Sequence, residues 1–222
     1  ADAGLCSAQV NPAEPTVNAG DPVTWSWDMT GAVIDNGTGP IDNYTFPVGS
    51  TTITWTATNV SGTDVCTQTI TIEDNEAPAF VAPGPFDFCV INIISAIYDG
   101  QPEPAADIVP EFPYQGNPRR PDWYLVAAGS TELDLSGIND NCCDEEDIEI
   151  SWTITFDPLT GQTPLTGTGQ PSVGTPLQLW GTPANVEVNH TITYNVTDCN
   201  GNAATPVSRN ILIRPRPEVI KN

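Results

Sequence analysis

The sequence predicts an all-β protein built from two tandem antiparallel β-sandwiches, the second carrying a long Pro-rich insertion. Three observations lead there. Alternating runs rich in β-branched and aromatic residues recur along the chain, 22 Pro and 18 Gly punctuate them, and one stretch of the sequence repeats another. Period-two alternation places successive side chains on opposite faces of a strand, and punctuation this dense leaves little room for long helices. With 39% hydrophobic residues among 222, each of two modules has the apolar material for a core.

Taken in order, Val23 to Trp27 alternates as a half-buried strand, and its Ser26-Trp27 pair is followed by Gly37-Thr38-Gly39. Thr52 to Ala57 is a second such strand, which turns at Ser61-Gly62 and returns through Val65 to Ile72 as a hairpin. The acidic run Glu73-Asp74-Asn75-Glu76 then reaches Pro78, which cannot donate to a ladder, so a solvated linker is expected here. The domains are therefore expected at 1–76 and 77–222, with the insertion at about 100–129 forming a large loop. Beyond it the same order returns: Ser151-Trp152, then Gly167-Thr168-Gly169, then Thr191 to Gly201, which aligns without a gap on Thr52 to Gly62. Val207 to Ile213 supplies the final strand. Two copies of one β-module explain this order better than coincidence does.

The stretch TTITWTATNVSGTDVCTQTITIEDNEAP at the end of the first module resembles the end of a hyalin-type (HYR) repeat. INDNCCDEED and ITYNVTDCNGNAATPVSRNILI are similar to related repeats of large Bacteroidetes surface proteins, including gliding-motility adhesins. The resemblance covers the first module and residues 138–213 of the second. It implies immunoglobulin-like sandwiches strung in tandem, export by the type IX system, and a role in adhesion.

The net charge of −22 is lopsided, because every Lys and Arg lies at Arg119 or later. Such a surface repels phosphate, which argues against nucleic acid and anionic membranes as partners. It also leaves divalent cations or salt as the counter-charge for the first half of the chain. No run approaches the length of a spanning helix, so no direct membrane insertion is expected.

Six cysteines in a small β-rich chain fit an oxidising, extracellular compartment. Cys6 and Cys66 are alone in the first module, so a bond between them is expected, closing a loop worth about 4 kcal/mol. Cys89, Cys142, Cys143 and Cys199 allow three connectivities. The adjacent pair Cys142-Cys143 is poorly disposed to bond to itself, so each is expected to reach Cys89 or Cys199, the assignment remaining open.

Two acidic clusters offer hard oxygen ligands for calcium: Glu73, Asp74, Asn75 and Glu76 in the linker, and Asp140, Asp144, Glu146 and Asp147 in a later loop, near which a Cys199 bond would bring Asp198. The linker is similar to the Asp/Asn-rich junctions of cadherins. Hydrated turns are the plain alternative. In the insertion, Tyr114, Trp123 and Tyr124 flank Arg119 and Arg120, a combination suited to stacking on sugars or anchoring a protein. Rings folded back over the sandwich core are the alternative there.

The lone His190 lies in an alternating strand with no GxSxG or HExxH around it, so no enzyme is expected. The function read from the sequence is a non-enzymatic adhesion or structural module on a bacterial cell surface, presenting loops to a glycan or protein and adjoining neighbouring modules. A subunit of a self-assembling extracellular filament, pairing with further copies of itself through exposed strand edges, is the alternative.

Overall fold

The computed structural model describes residues 1–18, 21–89, 123–126, 131–173, 177–180 and 186–214, and among these the protein is all-β. It divides into two compact units. Unit 1 comprises Ala1–Pro78 together with Asn139–Asp147 and Asp198–Asn202, and unit 2 comprises Ala79–Ile138, Ile148–Thr197 and Ala203–Asn222. The unit break at Pro78 lies two residues beyond the expected boundary. Two short loop segments from within the expected second module belong to unit 1.

Unit 1 contains β1 (Ser7–Val10), β2 (Thr24–Gly31), β3 (Asp35–Thr38), β4 (Tyr44–Pro47), β5 (Gly49–Asn59) and β6 (Gly62–Ile72). They form a four-stranded antiparallel sheet in the order β3-β2-β5-β6 and a two-stranded sheet β1-β4. Alternation in β5 turns Thr51, Ile53 and Trp55 inward, each at most 1% exposed. Ile53 and Trp55, with Trp27 and Met29 from β2 and with Ile41, Phe46 and Ile72, form the core of unit 1. Trp25 meets Trp55 edge-on with ring centroids 6.2 Å apart, a favoured aromatic geometry.

Unit 2 contains β7 (Ala79–Val81), β8 (Phe86–Cys89), β9 (Trp123–Val126), β10 (Ser136–Asn139), β11 (Glu149–Thr155), β12 (Leu165–Thr168), β13 (Leu177–Trp180), β14 (Val188–Thr197) and β15 (Val207–Arg214). Asn139, the last residue of β10, is counted with unit 1. The main sheet runs β12-β11-β14-β15-β8, with separate pairs β13-β9 and β10-β7. Its edge strand β8 pairs in parallel with β15, a departure from the expected purely antiparallel arrangement. Trp152, Ile154, Val188, His190, Ile192, Tyr194, Val196, Ile211 and Ile213 are all buried. The Tyr194 hydroxyl donates to the Leu133 carbonyl at 2.7 Å, which satisfies the polar end of a ring that is 0% exposed.

The sequence repeat reappears as a repeat of strand register. In unit 1, β2 pairs with β3 at Ser26↔Thr38 and Trp27↔Gly37, and with β5 at Trp27↔Trp55. In unit 2, β11 pairs with β12 at Ser151↔Thr168 and Trp152↔Gly167, and with β14 at Trp152↔Tyr194. Every aligned residue meets its aligned partner. Burial matches as well: Met29 and Ile154, two residues beyond each tryptophan, are 1% and 0% exposed, and Ile53 and Ile192 are both 0%. A one-residue slip would turn these side chains to solvent, so the shared inward pattern fixes the shared register.

Candidate cation site in unit 1

Three segments of unit 1 bring acidic residues together: the end of the first module at Asp74, the loop at Asp140, and the turn at Asp198. The turn is the aligned counterpart of the β5–β6 hairpin. There Asn59 Oδ1 accepts from the backbone N–H groups of Ser61 and Gly62. Asp198, at the aligned position, accepts through Oδ1 from the N–H groups of Asn200 and Asn202 at 2.9 and 2.7 Å, and through Oδ2 from Asn202 Nδ2 at 2.8 Å. Both residues use a short polar side chain to hold a turn, but Asp198 adds a charge. Burial works against that charge, yet the side-chain and backbone bonds from Asn202, with those from Asn200 and Gly201, outweigh it and hold the carboxyl below its usual range.

Asp74 is 6% exposed. Its Oδ1 accepts from the Glu76 N–H, and its Oδ2 from Asn200 Nδ2 at 3.2 Å and Asn202 Nδ2 at 3.4 Å. Asp140 accepts through Oδ1 from the N–H groups of Cys142 and Cys143 at 2.8 and 3.0 Å. Its Oδ2 is buried with no hydrogen-bond partner, a costly state for an acceptor. Ligand atoms of Asp74, Asp140 and Cys142 lie within 4.8 Å of one another, as do those of Asp140, Cys143 and Asp198, so Asp140 is common to both groups.

The two sulfurs are poor donors here. Cys143 is bonded to Cys199 with Cα atoms 5.8 Å apart, one of the connectivities the sequence left open. Burial, followed by a hydrogen bond with Cys6, pushes the Cys142 thiol up to about 12. Without the sulfurs, two carboxylate pairs remain, Asp74 with Asp140 and Asp140 with Asp198, and Asn200 and Asn202 are hydrogen-bonded to both Asp74 and Asp198. Carboxylate oxygens suit a hard cation.

The structure thus gathers Asp74 and Asp140 from the expected metal residues, together with Asp198. Asp144, Glu146 and Asp147 are exposed, the last two in a short 3-10 turn, and belong to neither group. In the linker, the Glu73 carbonyl accepts from the chain's first amino group, Glu76 Oε2 accepts from the Gly4 N–H at 2.8 Å, and Asn75 is exposed. Density of acidic residues marked the right segments without showing which carboxyls turn inward. Asn200 and Asn202, which sequence reasoning did not single out, were signalled by Asn-Gly-Asn following an aspartate aligned with a turn-forming Asn59.

The expected Cys6–Cys66 bond is corrected: the two sulfurs are not joined to each other. Cys6 precedes β1, which pairs with β4, while Cys66 lies exposed on β6, paired with β5 in the other sheet. First and last strands of the module are therefore not neighbours. The Cys89 side chain and the expected ligand residues Tyr114, Arg119 and Arg120 lie outside the described residues; Trp123 and Tyr124 fall in β9, where the backbone alone is described. His190 is 0% exposed, and its Nδ1 accepts from the Asp157 N–H at 2.9 Å while its ring meets Phe156 edge-on. It is part of the packing of unit 2. No protein-family model matches this chain, and no curated protein does.

Proposed function

We propose that this chain is a non-enzymatic extracellular adhesion or structural module of a bacterial cell-surface protein of the HYR-like, immunoglobulin-like tandem type, stiffened by calcium. One observation carries the reading: the three-strand unit built on Trp27, Gly37 and Trp55 recurs with unchanged register on Trp152, Gly167 and Tyr194. Repetition of a whole packing unit within one chain is how proteins extend a scaffold that presents surfaces. The Cys143–Cys199 bond favours an oxidising compartment. A single histidine engaged in packing gives no support to acid–base chemistry. Calcium beside Asp140, with Asp74 or Asp198 as its neighbouring carboxylate, would offset the repulsion within the pair and supply the missing partner of Asp140 Oδ2.

The test is to apply the purified chain to glycan and surface-protein arrays and to image it by negative-stain electron microscopy. Saturable binding by discrete particles is expected. Ordered filaments would transfer the assignment to a self-assembling subunit, for which β6 offers an edge strand with Val65 55% exposed. Turnover of a bound glycan would overturn the non-enzymatic reading.

A further inference from the structure

We propose that Cys6 and Cys142 form a second disulfide in unit 1, adjacent in sequence to Cys143–Cys199. Cys6 is among the groups that act on the Cys142 thiol, and both residues are half-buried. The chain on either side is held so that they stay opposed. Asn141 Nδ2 donates to the Leu5 carbonyl at 3.1 Å, which ties the residue before one cysteine to the residue before the other. The Cys6 carbonyl accepts from the Val48 N–H at 3.1 Å, which fixes Cys6 to the end of β4. On the other side, Asp140 Oδ1 accepts from the Cys142 and Cys143 N–H groups and holds the turn that carries both cysteines. Cys143 meets Cys199, and Cys142 meets Cys6.

The dicysteine is thus a branch point. One bond joins the loop at Asn139–Asp147 to the turn at Asp198–Asn202, and the other joins it to the start of the chain. Asp140, which lies in the two groups of acidic ligand atoms, sits two residues before this branch, so the bonds would fix the loop that carries it. No other pair of free thiols in unit 1 is so placed, because Cys66 lies exposed on β6.

The chemistry is thiol–disulfide exchange with an external disulfide. One thiol, losing its proton, attacks that disulfide and releases one of its sulfurs as a thiolate, giving a mixed disulfide. The second cysteine, also deprotonated, attacks the protein sulfur of the mixed disulfide and expels the other. Cys6 and Cys142 together lose two protons and two electrons, and the external disulfide is reduced to two thiols. The inference relies on the proposed extracellular setting only for where the bond is made; the test supplies its own oxidant, so failure counts against the pairing and not against that setting.

The full chain is refolded in a glutathione redox buffer, free thiols are alkylated, and the unreduced protein is digested and mapped by mass spectrometry. The expected product joins the Cys6 peptide to the Cys142-Cys143 peptide, which also carries Cys199. In a Cys143→Ser, Cys199→Ser variant the Cys6–Cys142 link is expected to persist. Alkylated Cys6, or Cys6 joined to Cys66 or Cys89 in the wild-type chain, would overturn the pairing even if the variant failed to fold. Cys6→Ser and Cys142→Ser are each expected to lower Tm by on the order of 10 °C, with no further drop in the double variant; additive losses would count against the bond.

Discussion

The indole ring of Trp152 fills the space above Gly167 so closely that a Cβ on that glycine would lie 2.1 Å from the ring. The same holds for Trp27 and Gly37, at 2.3 Å. In both places the tryptophan Nε1 is buried without a hydrogen-bond partner, so contact with the bare backbone, and not the polar atom, sets the ring's place. Gly167→Ala and Gly37→Ala are expected to destabilise the chain by about 1–3 kcal/mol each, because the ring must leave its seat or the strands must part. Thr168→Ala, at an exposed neighbouring position, is expected to change stability by less than about 0.5 kcal/mol. Thermal denaturation of the three variants checks this, and an unaffected Gly167→Ala protein would show that the ring is not held by the close approach.

That relationship also shows what could be read in advance. Tryptophan, a downstream Gly-Thr-Gly and an alternating hairpin recur in the sequence, and the structure pairs Trp27 with Gly37 and Trp152 with Gly167, since strand register follows from which side chains face inward. The Cys6–Cys66 expectation treats these two cysteines as isolated within one module. Asn139–Asp147 belongs to the same unit and brings Cys142 to Cys6 from far along the chain, which no local spacing reveals. The acidic loops were legible as segments. Which oxygens turn inward depends on Asp140 capping its own turn and on Asp198 occupying the position of Asn59, and of the seven acidic residues expected as ligands only Asp74 and Asp140 lie in the resulting groups.

Tyr44 and Asp35 make a pH-sensitive pair. The Tyr44 hydroxyl donates to Asp35 Oδ2 at 2.7 Å. This bond, with smaller contributions from burial and the aspartate charge, pushes the phenol up to about 12, while the same bond holds Asp35 below its ordinary range. A raised folded-state value favours the protonated phenol, so the pair's stabilisation is complete below pH 10, the ordinary tyrosine value, and is lost as pH rises towards about 12. For Asp35 the sign reverses: its contribution is present above the ordinary carboxyl range and is lost as pH falls below it. A phenolate absorbance titration of the folded chain is expected to show a late component near 12 that Tyr44→Phe removes and Asp35→Asn shifts towards 10. A titration unaltered by either change would refute the coupling.

Asp157 joins two parts of unit 2 through one carboxylate. Its Oδ1 accepts from the Leu159 N–H at 2.9 Å and its Oδ2 from the Asn189 N–H at 3.0 Å, at the start of β14. The Asn189 bond first, then the Leu159 bond, hold the carboxyl below its usual range despite partial burial. Asp157→Ala is expected to cost about 1–2 kcal/mol, since it removes a cap and leaves the Asn189 N–H without this acceptor. Because the folded value is depressed, this stabilisation is present above the ordinary carboxyl range and fades as pH falls through the folded value. The difference between wild type and Asp157→Ala, measured by urea denaturation, should therefore narrow in acid. A constant difference down to the lowest workable pH would sink the assignment.

Asp140 decides whether unit 1 holds a cation. Its Oδ1 is engaged by two backbone N–H groups while its buried Oδ2 has none, so a bound ion gains an acceptor that nothing else uses. Calcium at about a hundredfold above its dissociation constant would add roughly 2.7 kcal/mol, which for a chain of this size corresponds to a rise in Tm of about 5–10 °C. A chelator should remove that increment. Asp140→Asn should abolish the response, because the amide supplies no second anionic oxygen, while Asp144→Asn, at an exposed residue outside the cluster, should leave it intact. Tm unmoved by chelator, or a response that survives Asp140→Asn, would mean that the inward-turned carboxyls are held by protein hydrogen bonds alone.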